Sequence, residues 1–416
     1  MNTRLRNYLV TACFIAAFLS FKYLKSYATV SLCINSLLLF FSAFSFKDSL
    51  RVKLLSILFF SLASLIFIYP VDFNSLPTGD LGIYIKNSII DYAWNEGPWR
   101  SEPVVRFLMI PSELFQNANL FLFNSFLLIL FSYYLISRNI SEHLHLPASF
   151  ILLCLVCDRS LFTYESFWVL RQFISTPFIV LACLNFGKKR HLLYLIIAFL
   201  AHNSSIIFFA LFLFTKLALG ALKKIPRVLN TLKISIRNYL KRVIVFIFSL
   251  AVVFLLGYFL YTNKIYNLAA NFTGDTLDSG LKTIILIFGI ASFSIFKIIE
   301  SLLSREQSPE DQYLFKIACI FFIPSLSYLF FAFGFGGAVG LLAYRISWFI
   351  YPLSGLVKLL GIYALLNLLS LWSARSTLKM SLTLTVALVL IRFSAHIQSI
   401  PIYFEPLKAF YKSTII

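Results

Sequence analysis

Acidic residues are scarce. Seventeen Asp and Glu stand against 36 Lys and Arg in 416 residues, and all charged residues together make up 13%. Soluble globular domains carry about twice that share, so the composition excludes an ordinary soluble enzyme. A disordered tail is excluded too, since 60% of the chain is hydrophobic and 18% aromatic where disorder needs few apolar groups. With 15 Gly and 13 Pro a collagen-like rod does not fit. Also missing is the alternation in segments of about ten residues that marks a membrane β-barrel. The chain has no nucleotide-binding signature. Cysteine occurs six times (Cys13, Cys33, Cys154, Cys157, Cys183, Cys319), always within apolar segments, where it behaves as a small hydrophobe. No disulfide framework follows. Cys154 and Cys157 form a CxxC with His143 and His145 upstream, but a helix through both Cys spoils a four-ligand zinc geometry, so we read them as packing residues.

What the chain does have is continuous apolar runs, at a mean hydropathy of +0.85. Surface of that kind has to be kept in lipid, and only helices or closed barrels satisfy their backbone there. We therefore expect an all-α polytopic membrane protein, one integral domain over 1–416, with about 11–14 transmembrane helices. The spans read at 7–21, 27–46, 54–70, 118–137, 146–160, 169–187, 191–201, 204–216, 243–262, 282–300, 313–333, 346–370 and 380–396. Arg4 and Arg6 precede the first run, and Phe21, Lys22 and Tyr23 stand where a cleavage site would be, so the first helix is read as retained.

The net charge of +19 lies mostly between these runs. That is the positive-inside pattern rather than a nucleic-acid footprint, and no nucleic-acid partner is expected. Lys47, Arg51, Lys53, Lys188, Lys189 and Arg190 all fall on one side, with the basic residues from Lys216 to Arg242. This places the N-terminus in the cytoplasm and the C-terminus outside. One stretch strains the scheme: Arg190 to Lys216 is basic at both ends yet too short for two crossings of about 20 residues. His202, Asn203 and Ser204 mark the turn of two half-length helices or of a re-entrant hairpin. The segment 217–242 has Leu229, Leu232, Ile236 and Leu240 on one helical face and reads as a basic cytoplasmic interfacial stretch.

The chemistry-bearing residues lie on the other side. The longest outer segment, 71–117, contains apolar Leu81, Tyr84, Ile85, Ile89 and Tyr92 at helical spacing, with Thr78 or Asp80 as its cap. Glu96, Trp99, Arg100 and Glu102 follow closely. Carboxylates accept sugar hydroxyls and aromatic faces cover the CH face of a pyranose. Arg171 with Gln172 opens the run that ends at Lys188. An arginine at membrane depth needs a partner or water, and its planar fork suits a diphosphate. The structural alternative pairs it with Asp158 or Glu165, beside Arg159 in the same short loop. His202, beside Asn203, Ser204 and Ser205, suits a cavity lining in which an imidazole acts as base or donor. Tyr344 and Arg345 follow a glycine-rich turn, Gly334 to Gly340. With no bound nucleotide to drive a reaction, the donor must arrive activated, and at the outer leaflet a lipid diphosphate fits.

In this order the motifs resemble the Wzy/EpsG-type polymerases of bacterial O-antigen, capsule and exopolysaccharide repeat units. Asp80 and Tyr84, Glu102-Pro103, Arg171-Gln172 before Lys188-Lys189, Ala198 with His202, and Tyr344-Arg345 carry the likeness. The resemblance implies a GT-C-like helical fold and a glycosyltransferase that needs neither metal nor other cofactor. Its donor and acceptor would be undecaprenyl-diphosphate-linked oligosaccharides, joined at the periplasmic face of the bacterial inner membrane. Membrane lipid, a chain-length regulator and a flippase would be its partners. Arg171 and Arg345 would bind the donor diphosphate; His202, Asp80 or Glu102 would orient or deprotonate the acceptor hydroxyl. Tyr84, Trp99, Arg100, Gln172 and Tyr344 would line the substrate. An O-antigen ligase shares this donor. A lipid-linked oligosaccharide flippase shares the substrate but more often shows two related halves, and no internal repeat is found. A glycan-decorating acyltransferase would pair its His with an acid, which His202 lacks in sequence.

Overall fold

In a computed structural model the described residues are 102–115, 119–156, 170–224, 290–291, 294–295, 297–298, 308–332, 348–368 and 374–397. Among them the regular structure is helical, with no strand. The helices are α1 (Pro103–Leu114), α2 (Asn119–Leu144), α3 (Ala148–Val156), α4 (Leu170–Leu184), α5 (Arg190–Ala201), α6 (Ser205–Lys224), α7 (Pro309–Ala332), α8 (Ser354–Leu368) and α9 (Ala374–Ile397). A 3-10 helix, Trp348–Leu353, precedes α8. The chain divides into two compact units, 1–205 with 386–416, and 206–385. Among the described residues no helix is long and apolar enough to cross a membrane.

Helix α4 is the centre of the first unit. It packs most extensively on α5 and then on α2, while α1 packs on α2 and α5. Every residue of α4 except Arg171 is buried. Such all-round burial favours side chains that are apolar or satisfy themselves locally, the buried Thr176 hydroxyl being an exception. Phe173, Ile174, Phe178 and Ile179 supply the first kind. Around it the faces segregate: Val105, Leu108 and Met109 of α1 point inward, while Phe107 and Leu114 are exposed, the spacing of a one-sided helix. Pro103 opens α1 at the first helical position, where a missing N–H removes no bond. Helix α2 buries serines among its aromatics by turning their hydroxyls onto its own carbonyls, Ser132 on Ile129 at 2.6 Å and Ser137 on Tyr133 at 2.8 Å.

The α4–α5 connection is a tight turn. Asn185 donates to the Leu181 carbonyl through its backbone (3.0 Å) and its side chain (2.8 Å). Gly187 then takes φ +90, a left-handed conformation open to glycine at no steric cost. The buried Asn185 side chain also accepts from Asn139 of α2 at 3.2 Å, tying the turn to the neighbouring helix.

In the second unit, Ser308 caps α7 by accepting the Asp311 N–H at 3.1 Å. Asp311 accepts in turn from Lys297, whose side chain is only 3% exposed, at 3.0 Å. Phe208 stacks on Phe349 with ring centroids 4.3 Å apart.

Four expected boundaries change. The segment 71–117 is not loop to its end, because α1 occupies Pro103–Leu114. The stretch 204–216 is not a half-length helix: α6 runs 20 residues to Lys224, taking in the start of 217–242, since no breaker occurs before Pro226. The run 346–370 is split, with Pro352 in the 3-10 segment before α8 starts. The run 118–137 extends to Leu144, carried on by the exposed Arg138–Glu142 pair at 2.7 Å, one turn apart.

Candidate active site

Three of the sequence-selected residues meet in the first unit. Glu102 lies just before α1, Arg171 in the first turn of α4, and His202 at the end of α5. The turn at His202 explains its position. Helix α5 stops at Ala201 and His202 is extended, at φ −162 and ψ 122, with its N–H on the Ala198 carbonyl. That same carbonyl accepts the Ser205 hydroxyl at 3.0 Å, and the Ser205 N–H returns to the His202 carbonyl at 3.0 Å. The N–H groups of His202 and Ser205 are therefore satisfied across the break.

Glu102 is the hub. Its side chain is 3% exposed, against 26% for Arg171 and 23% for His202. One carboxylate oxygen, Oε2, accepts from Arg171 Nη1 at 3.0 Å; the other, Oε1, meets His202 Nδ1 at 2.6 Å. Burial by itself opposes ionisation of this carboxyl; the hydrogen bond from His202 and the Arg171 charge outweigh it and hold it below its ordinary value of 4.5. An ionised carboxylate only accepts, so Nδ1 carries the proton and Nε2 carries the lone pair in the neutral imidazole. The arrangement thus presents a half-buried guanidinium, an oriented imidazole nitrogen, and between them a carboxylate with both oxygens engaged.

Ser204, beside His202, keeps a buried hydroxyl with no hydrogen-bond partner. Leaving such a group unmade costs about 1–3 kcal/mol, a cost that a substrate hydroxyl or phosphate oxygen would offset. Gln172 is buried beside Arg171; its backbone carbonyl faces the Ser175 hydroxyl at 3.5 Å.

Arg171 pairs with Glu102, 69 residues away. One expectation is corrected. His202 does have an acid partner, 100 residues away, so the argument against an acyl-transfer dyad falls. Neither pairing leaves a local trace in sequence, because each depends on tertiary packing, which brings the start of α4 and the end of α5 to the residue before α1. The Glu102-Pro103 step was the one signal, a carboxylate placed at a helix start. Asp80, Tyr84, Trp99, Arg100, Tyr344 and Arg345 lie outside the described residues, as do Asp158, Arg159, Glu165 and Cys157. Cys154 is buried in α3 and free of disulfide. Among the described residues no group of three or more His, Cys, Asp and Glu is placed to hold a metal ion.

Compared with known proteins, the chain matches no family model, no curated protein and no solved structure.

Proposed function

We propose that the chain is a membrane-embedded glycosyltransferase that joins undecaprenyl-diphosphate-linked repeat units into a polysaccharide. One observation carries the reading: the buried Glu102 gathers Arg171 and His202 into a single charged cluster. Membrane residence is supported by composition, with 60% hydrophobic residues, and by the strong exposure of Phe107, Leu114, Phe115 and Phe131 in the first unit.

In this reading Arg171 meets the donor diphosphate, as does Arg345. His202 Nε2 takes the proton of the acceptor hydroxyl as its oxygen bonds to the donor's anomeric carbon. The bond from that carbon to the diphosphate breaks, and the lipid diphosphate leaves with its charge matched by the guanidinium. Glu102 is then a positioning residue, with both oxygens committed, and not the base itself. Asp80, Trp99, Arg100, Tyr84, Gln172 and Tyr344 belong to substrate recognition in the same scheme. The O-antigen ligase differs only in acceptor.

A second reading is favoured by the His202–Glu102 pair. The same dyad would activate a glycan hydroxyl toward an acyl donor. One assay separates them: purified protein, a synthetic undecaprenyl-diphosphate repeat unit, and products resolved by mass. A ladder of repeat-unit multiples supports the polymerase. An acyl increment from an added acyl donor supports the second reading. Transfer only to lipid A core supports the ligase. No product of any kind with folded protein and the cognate repeat unit sinks the transferase class and leaves the flippase.

A further inference from the structure

The α4–α5 hairpin has two different ends. At one end is the Glu102–Arg171–His202 cluster. At the other, Lys188, Lys189 and Arg190 are consecutive and exposed, and none makes an ion pair among the described residues. Arg138 on the neighbouring helix is matched by Glu142, whereas among the described residues the three turn cations have no such match. The turn that holds them is rigid, through the Asn139–Asn185 and Asn185–Leu181 hydrogen bonds. Below it, α5 presents exposed Leu192, Leu193, Ile196 and Phe199, which share one helical face. Its other face is covered: Ala198 and Ala201 are buried, and the Tyr194 ring lies 6.5 Å from that of Phe178.

We propose that the Lys188-Lys189-Arg190 turn and the apolar outer face of α5 form one docking surface for anionic phospholipid, cations on the headgroups and Leu192, Leu193, Ile196 and Phe199 on the acyl chains. The charge sign and the order along the chain both argue for this occupant. A free polyanion would be served by the cations and would leave the apolar face in water. A protein partner would have to cover an apolar stripe whose end bears only positive charge. Bilayer lipid matches both parts. The surface rests on the membrane reading above but is independent of the reaction. It also sets a depth. The 12 residues of α5 rise about 18 Å, so with the hairpin upright Phe199 lies farther from the cation-bearing turn than Leu193.

The test uses full-length protein in a mild detergent, titrated with phosphatidylglycerol or with phosphatidylcholine, bound lipid being counted by native mass spectrometry. Wild type should prefer phosphatidylglycerol. Each cation near an anionic surface contributes about fivefold, so Lys188→Gln/Lys189→Gln/Arg190→Gln should lose that preference by about a hundredfold. Lys188→Arg/Lys189→Arg should keep it. Equal affinity for the two lipids in wild type, or a preference surviving in the triple variant, overturns the proposal. In bilayers, nitroxides at Leu193 and Phe199 should both be reached by oxygen and shielded from a nickel chelate, with Phe199 deeper by about 9 Å. Chelate access at both, or the reverse depth order, overturns it as well. Protein recovered without detergent would sink the membrane reading with it, whereas an integral protein lacking lipid preference sinks this inference alone.

Discussion

Replacing Glu102 by Gln tests the cluster most directly, because it keeps the shape and changes only what each atom can donate or accept. In the native protein both oxygens accept, one from Arg171 at 3.0 Å and one from His202 at 2.6 Å. A glutamine amide offers one acceptor and one donor group. Arg171 is donor-only, so the amide oxygen goes to it and the amide nitrogen faces His202. The imidazole must then accept at Nδ1, which moves its proton to Nε2. That tautomer cannot take a proton from the acceptor hydroxyl. General-base catalysis is worth about 10²–10⁴-fold, and the expected loss in chain-growth rate lies in that range, with protein level unchanged. Single-turnover assays on the synthetic repeat unit would measure it. His202→Gln should cost a similar factor, and the double variant little more, because residues acting as one unit are not additive. Full activity in Glu102→Gln, or losses that multiply in the double variant, would refute the reasoning.

Arg171→Lys keeps the charge but loses the planar fork, and chain growth should fall at least tenfold while the pair with Glu102 persists; Arg171→Ala should abolish growth. The alanine variant also leaves a buried carboxylate with one partner, and removing one member of a buried pair costs about 3–5 kcal/mol, visible as a lower Tm in detergent. The folded Glu102 carboxyl is held below 4.5, so its contribution to stability is present above that pH and is lost as pH falls through the folded value. Thermal scans should be flat in this respect from pH 7 to 5 and drop below, and Glu102→Gln should remove that acid limb. Asn139→Ala deletes the donor to Asn185 and should cost about 1–3 kcal/mol without changing the pH profile of chain growth. On a background freed of the six native cysteines, Glu96→Cys should react with an impermeant thiol reagent in whole cells and Lys224→Cys should not; the opposite labelling pattern would invert the topology.

Among the described residues, helical structure and some helix ends were legible in the chain, since they follow from local apolar runs and breakers. The break at His202 is one example: Ala201 ends α5 and Ser205 begins α6, where a polar triplet interrupts two apolar runs. The early stop assigned to the second of these helices failed for a related reason. Lys216 marks no boundary, because a single lysine does not end a helix whose backbone bonds can continue.

Residue types suited to the chemistry were also visible, because a lone arginine or histidine in an apolar context is conspicuous. Their connection was not. Glu102, Arg171 and His202 are separated by 69 and 100 positions from the carboxylate outward, and no periodicity couples residues that far apart. Composition and local pattern determined that the chain is strongly apolar and its described part helical, and which side chains stand out from that background. Only the packing of α1, α4 and α5 decided that one buried carboxylate serves both the guanidinium and the imidazole, because burial removes the water that would otherwise satisfy each of them separately.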